Sequence, residues 1–216
     1  MRSLPSSRAE RNNPVETTTH DPTDGIMIVL GVDPGTLVTG FGVVEMRNGV
    51  PTVLQYDVVK NRSNRSMPLR LKSIYAALCN VILEYHPDEF AIESAFYGKN
   101  AQSALKIGQA RGVSILAAVN HEIPTAEYSP REVKKAVVGN GAASKEQVQA
   151  MVKKLLQMNT TPKLFDVTDA LAVALCHLNR SGRGHKSSVT RKRKSSRRND
   201  WAAFAAAHPE RILTRS

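Results

Sequence analysis

The sequence predicts an α/β fold built on a five-stranded mixed sheet with helices on both faces. Three observations carry that expectation. Short apolar strands and stretches of helical periodicity follow one another in the order β-β-β-α-β-α-β-α-α-α, the alternation of an α/β layer. The first strand, Met27–Asp33, is almost continuously apolar, as befits a central strand covered on both sides. It then turns sharply at Pro34-Gly35 into a second β-rich run, Thr39–Met46, so these two strands are antiparallel and the sheet is mixed.

The remaining elements follow from local signals. Asn48-Gly49 is a two-residue hairpin signal leading into a third strand, Thr52–Val59. Pro68 suits the first turn of a helix, and Ile74, Leu78, Val81, Ile82 and Tyr85 recur at helical spacing until Pro87 ends the run. Phe90–Ile92 is a short strand with Glu93 at its end. A long helix covers Ala101–His121, and Pro124–Tyr128 forms a fifth strand. Ser129-Pro130-Arg131-Glu132 and Ser144-Lys145-Glu146-Gln147 both have capping-box spacing. The helices they open are separated by the breaker Gly139-Asn140-Gly141. A last helix runs from about Leu164 to Leu178.

Charge is distributed unevenly along the 216 residues. The net charge is +11, and residues 180–216 hold eleven Lys/Arg against two Asp/Glu. The run "RKRKSSRR", Arg191 to Arg198, buries too little apolar surface to offset chain entropy and would add nonspecific affinity for a polyanion. Residues 1–26 are polar and punctuated by Pro5, Pro14 and Pro22. We therefore expect a disordered extension over 1–26, a folded domain over 27–180, and a basic, largely disordered tail over 181–216. No apolar run approaches the roughly 18 residues of a membrane span, and residues 1–26 hold no apolar signal stretch, so a cytoplasmic protein without a membrane partner is expected. Cys79 and Cys176 fall in apolar helical patterns and read as reduced core residues. No Cys/His cluster suggests zinc, and no GxxxxGK[ST] loop is present.

Four carboxylates carry the chemical signal. Asp33 and Glu93 each end an apolar strand, where ligands of α/β sheets collect. Asp166 and Asp169 share one face of the last helix at i, i+3 spacing. Each acid alone is as consistent with a turn, a solvated strand end or a favourable helix-dipole contact. Together they would repel one another, and hard divalent cations such as Mg²⁺ relieve that repulsion with oxygen ligands. Two such ions about 4 Å apart clamp a phosphoryl group in an in-line displacement.

The motifs "GVDPGTLVTGFGVVE", "FAIESAFYGKNAQSALKIGQARG", "REVKKAVVGNGAASKEQVQAMV" and "DVTDALAVALCH" resemble the RuvC family of Holliday-junction resolvases, in order, across Met27 to Asn179. The resemblance implies a ribonuclease-H-like nuclease domain, a homodimer, and Mg²⁺-dependent cleavage of four-way DNA junctions to 5′-phosphate and 3′-hydroxyl ends. It also implies work with the RuvA and RuvB branch-migration machinery. It places the catalytic acids and the ligands of two Mg²⁺ ions per subunit on Asp33, Glu93, Asp166 and Asp169. Phe96, three residues past Glu93, would stack on an unpaired base, a role Tyr97 could share. Lys99, Lys134 and Lys145 would contact phosphates, while Arg111 fits either DNA contact or structure. His86, His121 and His177 read as surface or core-edge residues without partners. The long helix Ala101–His121, with Ala104, Gly108, Gly112 and Ala117, suits a dimer interface or close packing on the sheet equally well.

Three rivals share parts of this pattern. An actin- or Hsp70-type ATPase also uses an Asp-x-Gly-Thr turn, but duplicates its domain. Another ribonuclease-H-like nuclease acting on RNA would keep the acids. A non-enzymatic basic DNA-binding protein would use them only structurally.

Overall fold

The apolar run at the start of the domain becomes strand β1, Ile26–Asp33, in the computed structural model, which describes residues 25–94 and 101–184. The expectations for the extension before residue 25, for Phe96, Tyr97 and Lys99, and for the basic run 191–198 lie outside the described residues. β2 (Val38–Arg47) returns antiparallel to β1, and β3 (Val50–Lys60) returns antiparallel to β2. Asn48 and Gly49 make the hairpin between them with φ of 54° and 80°, the positive values a type I′ turn requires. Helix α1 (Met67–Tyr85) then crosses over to β4 (Glu89–Glu93), which lies parallel to β1 on its other side. Helix α2 (Ala101–Val119) leads to β5 (Thr125–Tyr128), parallel to β4. The sheet order is β3-β2-β1-β4-β5.

The C-terminal half is helical. Helices α3 (Pro130–Val138) and α4 (Lys145–Leu155) open on Ser129 and Ser144, and both capping boxes are complete. Gly139 ends α3 at φ 78°. Helix α5 (Phe165–Gly184) runs six residues beyond the expected Leu178. The compact unit carrying the sheet ends at Asn179, and a second unit starts at Arg180.

Strand alternation divides the core in two. Ile28, Leu30, Val32, Val43, Phe90 and Ile92 pack with Ile74, Leu78 and Ala117 beneath α1 and α2. Val29, Val44 and Ala91 face the other way, with Val133, Val152, Leu171 and Leu175 from α3, α4 and α5. Cys79 and Cys176 are free thiols, the latter buried, as expected. Among the described residues, no helix is long and apolar enough to cross a membrane.

Candidate active site

Asp33 and Glu93 arrive at one edge through strand register. The last pair of the parallel β1–β4 ladder is Val32 with Ile92, so each acid stands one residue beyond it. Both share the parity of Val29 and Ala91, whose side chains point toward α5. Thr39 locks the turn that follows Asp33. Its hydroxyl donates to the Gly35 carbonyl at 2.5 Å, and Thr39 is completely buried.

Glycines bring α5 onto those strand tips. A Cβ on Gly31 would stand 2.3 Å from the Ala170 carbonyl oxygen, and one on Gly42 would stand 2.4 Å from Leu171 Cδ2. At Gly40 it would stand 2.0 Å from the Asp166 carbonyl oxygen. Gly40 is the cross-strand partner of Asp33, and Gly42 that of Gly31. Three absent side chains thus let the start of α5, with Asp166 and Asp169, press against the end of β1. Ala170 and Ala174 keep the helix surface there small.

The four carboxylates act on one another. The Asp33 carboxyl is pushed up to about 7, first by burial and then by the charges of Asp169 and Asp166. Glu93 is pushed up to about 8, first by burial and then by Asp33 and Asp169. Two cations moderate this repulsion. Lys145 Nζ donates to Asp169 Oδ2 at 2.8 Å, a bond that raises its own pKa, and its charge lowers those of both Asp33 and Glu93. Lys134 donates to the Ala143 carbonyl at 2.7 Å, and its charge also lowers the Glu93 pKa. Lys134 and Lys145, two of the three lysines expected at phosphates, therefore stand beside the acids. Lys145 also lies 5.8 Å from the Phe165 ring centroid.

The donor set suits a hard divalent cation. It offers only carboxylate oxygens, and Asp33 and Glu93 are destabilised as anions by burial and by neighbouring carboxylates. The acids are gathered as charges rather than as a formed coordination sphere. Among the described residues, no three His, Cys, Asp or Glu side chains form a group ready to hold a metal ion. The Lys145 ammonium occupies an Asp169 oxygen.

The chain matches the family description "Crossover junction endodeoxyribonuclease RuvC" over residues 29–177. It belongs to the RuvC family. The protein of that name from Salinibacter ruber is 43% identical over 186 residues, which are 86% of this chain and 99% of the relative. The Saccharophagus degradans relative is 52% identical over 152 residues, 70% of this chain and 87% of its own. Thermus thermophilus RuvC, solved in complex with Holliday junction substrate, superposes with a TM-score of 0.70 at 33% identity, covering 73% of this chain and 96% of its own. The fold is thus the ribonuclease-H-like α/β layer of RuvC.

Two expectations change. His177 is a buried, paired residue, not a core-edge one without partners. It is hydrogen-bonded to Tyr128 Oη at 2.7 Å and to Glu89. Nothing local in the sequence links residues 49 and 88 positions away in the chain. Helix α2 packs on the core through only part of its surface. Ala117 is buried in the core, whereas a Cβ on Gly108 or Gly112 would meet nothing within 4 Å. Arg111 pairs with Glu127 of β5.

Proposed function

We propose that this chain resolves four-way DNA junctions by Mg²⁺-dependent phosphodiester hydrolysis, leaving 5′-phosphate and 3′-hydroxyl ends. The observation that carries the reading is the meeting of Asp33, Glu93, Asp166 and Asp169 from three elements of a RuvC-family fold, with burial and mutual repulsion raising the first two. Asp33, at the centre of the sheet, with Glu93, Asp166 and Asp169, would hold two such ions. When bound, such cations supply the charge that makes a water nucleophilic and stabilises the leaving 3′ oxygen.

The chain's own groups do the rest. The half-buried strand tips lower the local dielectric, which would strengthen charge interactions at a bound phosphate. Lys145, bonded to Asp169, and Lys134, bonded to the Ala143 carbonyl, would each offer an ammonium to a phosphate oxygen of the strand. Phe96 and Lys99, which follow Glu93 in the sequence, are assigned to base stacking and phosphate contact.

We further assign a homodimer built on α2, since a four-way junction presents two equivalent strands and a two-fold enzyme presents two sites. The exposed face of α2 supports this. Leu105, Leu116 and Val119 are 65%, 49% and 53% exposed, and they flank the open Gly108 and Gly112. Cytoplasmic work with the RuvA and RuvB machinery completes the assignment. The deciding experiment compares cleavage of a four-way junction, a linear duplex and an RNA–DNA hybrid, with and without Mg²⁺. Symmetric, Mg²⁺-dependent cuts confined to the junction are expected. Equal cutting of the hybrid would favour an RNA-directed nuclease.

A further inference from the structure

Helix α5 meets the sheet through two unlike contacts. Near its N-terminal end the contact is bare backbone, with Gly31 and Gly40 against Ala170 and Asp166. Such a contact fixes distance well and orientation poorly, because no side chains interlock across it. Three helical turns below Asp166, the contact becomes polar and specific. The His177 ring lies edge-on to Tyr128, with centroids 5.7 Å apart at 63°. Its Nδ1 stands 2.7 Å from Tyr128 Oη, and its Nε2 bonds the Glu89 carboxylate.

Nε2 bonds the Glu89 carboxylate and Nδ1 bonds the Tyr128 hydroxyl. Bonded through both ring nitrogens, the imidazole is held in one orientation inside the core.

Both partners of His177 belong to the framework of Glu93. Glu89 begins the strand that Glu93 ends. Tyr128 is the cross-strand neighbour of Glu93, and its carbonyl accepts from Ser94 N at 2.8 Å. Asp166, Ala170 and His177 recur at helical spacing along the stripe of α5 that faces the sheet. Rotation of α5 about its axis would carry Asp166 and Asp169 past Glu93, and the His177 clasp opposes that rotation.

We propose that His177 and Tyr128 are positioning residues that set the spacing between the α5 carboxylates and Glu93, and thereby the affinity of the acidic site for divalent cations. The proposal rests on the assignment of Asp33, Glu93, Asp166 and Asp169 to metal. It is tested with Tyr128→Phe, which removes one hydroxyl and preserves ring shape, and with His177→Ala. Asp33→Asn is the control for the metal assignment itself. Three quantities are read on the full-length chain: the calorimetric Kd for Mn²⁺, the Mg²⁺ concentration that gives half-maximal cleavage of a pre-bound junction, and the junction Kd in chelator. Thermal melting runs alongside.

Asp33→Asn is expected to abolish Mn²⁺ binding. Tyr128→Phe and His177→Ala are expected to weaken both metal constants in parallel, about three- to tenfold, the scale of coupling through a packed network. Junction affinity in chelator stays within about twofold. If the two variants lower Tm but leave both metal constants unchanged, the clasp only stabilises the fold and the proposal is overturned, while the metal assignment survives. If Asp33→Asn still binds Mn²⁺ normally, the metal assignment fails and the proposal fails with it.

Discussion

The backbone of Gly40 lies directly beneath the Asp166 carbonyl, with room for a hydrogen and not for a methyl group. A Cβ there would stand 2.0 Å from that oxygen, and Gly40 is paired across the sheet with Asp33. The glycine therefore decides whether the third and fourth acids can reach the first. Gly40→Ala should lift the start of α5 from the sheet. Overpacking of this kind costs about 1–3 kcal/mol of stability. Displacement of catalytic groups by about 1 Å costs on the order of a hundredfold in rate. A cleavage rate within twofold of the parent, at equal junction occupancy, would show that α5 does not need this seat.

Asp33→Asn removes the charge at the centre of the cluster and keeps the shape. Cleavage should fall by about a thousandfold or more, since metal-ion catalysis contributes several kcal/mol. Junction binding in chelator should persist, because the phosphate contacts are assigned to the lysines rather than to Asp33. Surviving Mg²⁺-dependent cleavage would refute the assignment of Asp33 to metal, and would favour the view that the acids are structural.

The raised carboxyls make stability depend on pH in a definite direction. Asp33 is pushed from an ordinary value of 3.8 to about 7, and Glu93 from 4.5 to about 8. The native state thus holds more protons than the unfolded chain between those values. Stability is fully present below about pH 4 for these two groups, and is lost as pH rises through 7 to 8. Metal-free protein should therefore show a Tm that declines across that window, and Asp33→Asn should flatten the decline. If Mg²⁺ binds at these oxygens as proposed, it would compete with protons for them, and its stabilising effect should grow with pH. A Tm independent of pH between about 5 and 8.5 in chelator would show that the two acids are not buried against each other.

Much of this site was legible because its signals are local. Asp33 and Glu93 each follow an apolar strand, and the parallel neighbours β1 and β4 deliver them side by side, as their strand endings implied. Ser129 with Glu132 and Ser144 with Gln147 announced helix starts that formed as capping boxes. The contacts that join distant segments carried no such signal. Gly31, Gly40 and Gly42 look ordinary in sequence, and their common use appears only when register sets them under α5. His177 found Tyr128 and Glu89 across the core for the same reason. Lys145 was read as a phosphate contact from its motif, and its bond to Asp169 depends on how α4 docks beside α5.

The outward face of α2 yields the last prediction. Leu116 is about half exposed, with the open Gly112 one helical turn before it and the exposed Val119 three residues after. An apolar stripe flanked by glycines lets a second helix approach closely, and a buried cation without a partner would be costly there. Leu116→Arg should convert a dimer to a monomer, read by light scattering at micromolar concentration, with the fold intact by circular dichroism. A monomer holds only one site, so it should nick one strand of a junction and leave the opposing strand uncut in the same encounter. If Leu116→Arg remains dimeric and still makes paired cuts, the two-fold contact lies on another face of the protein.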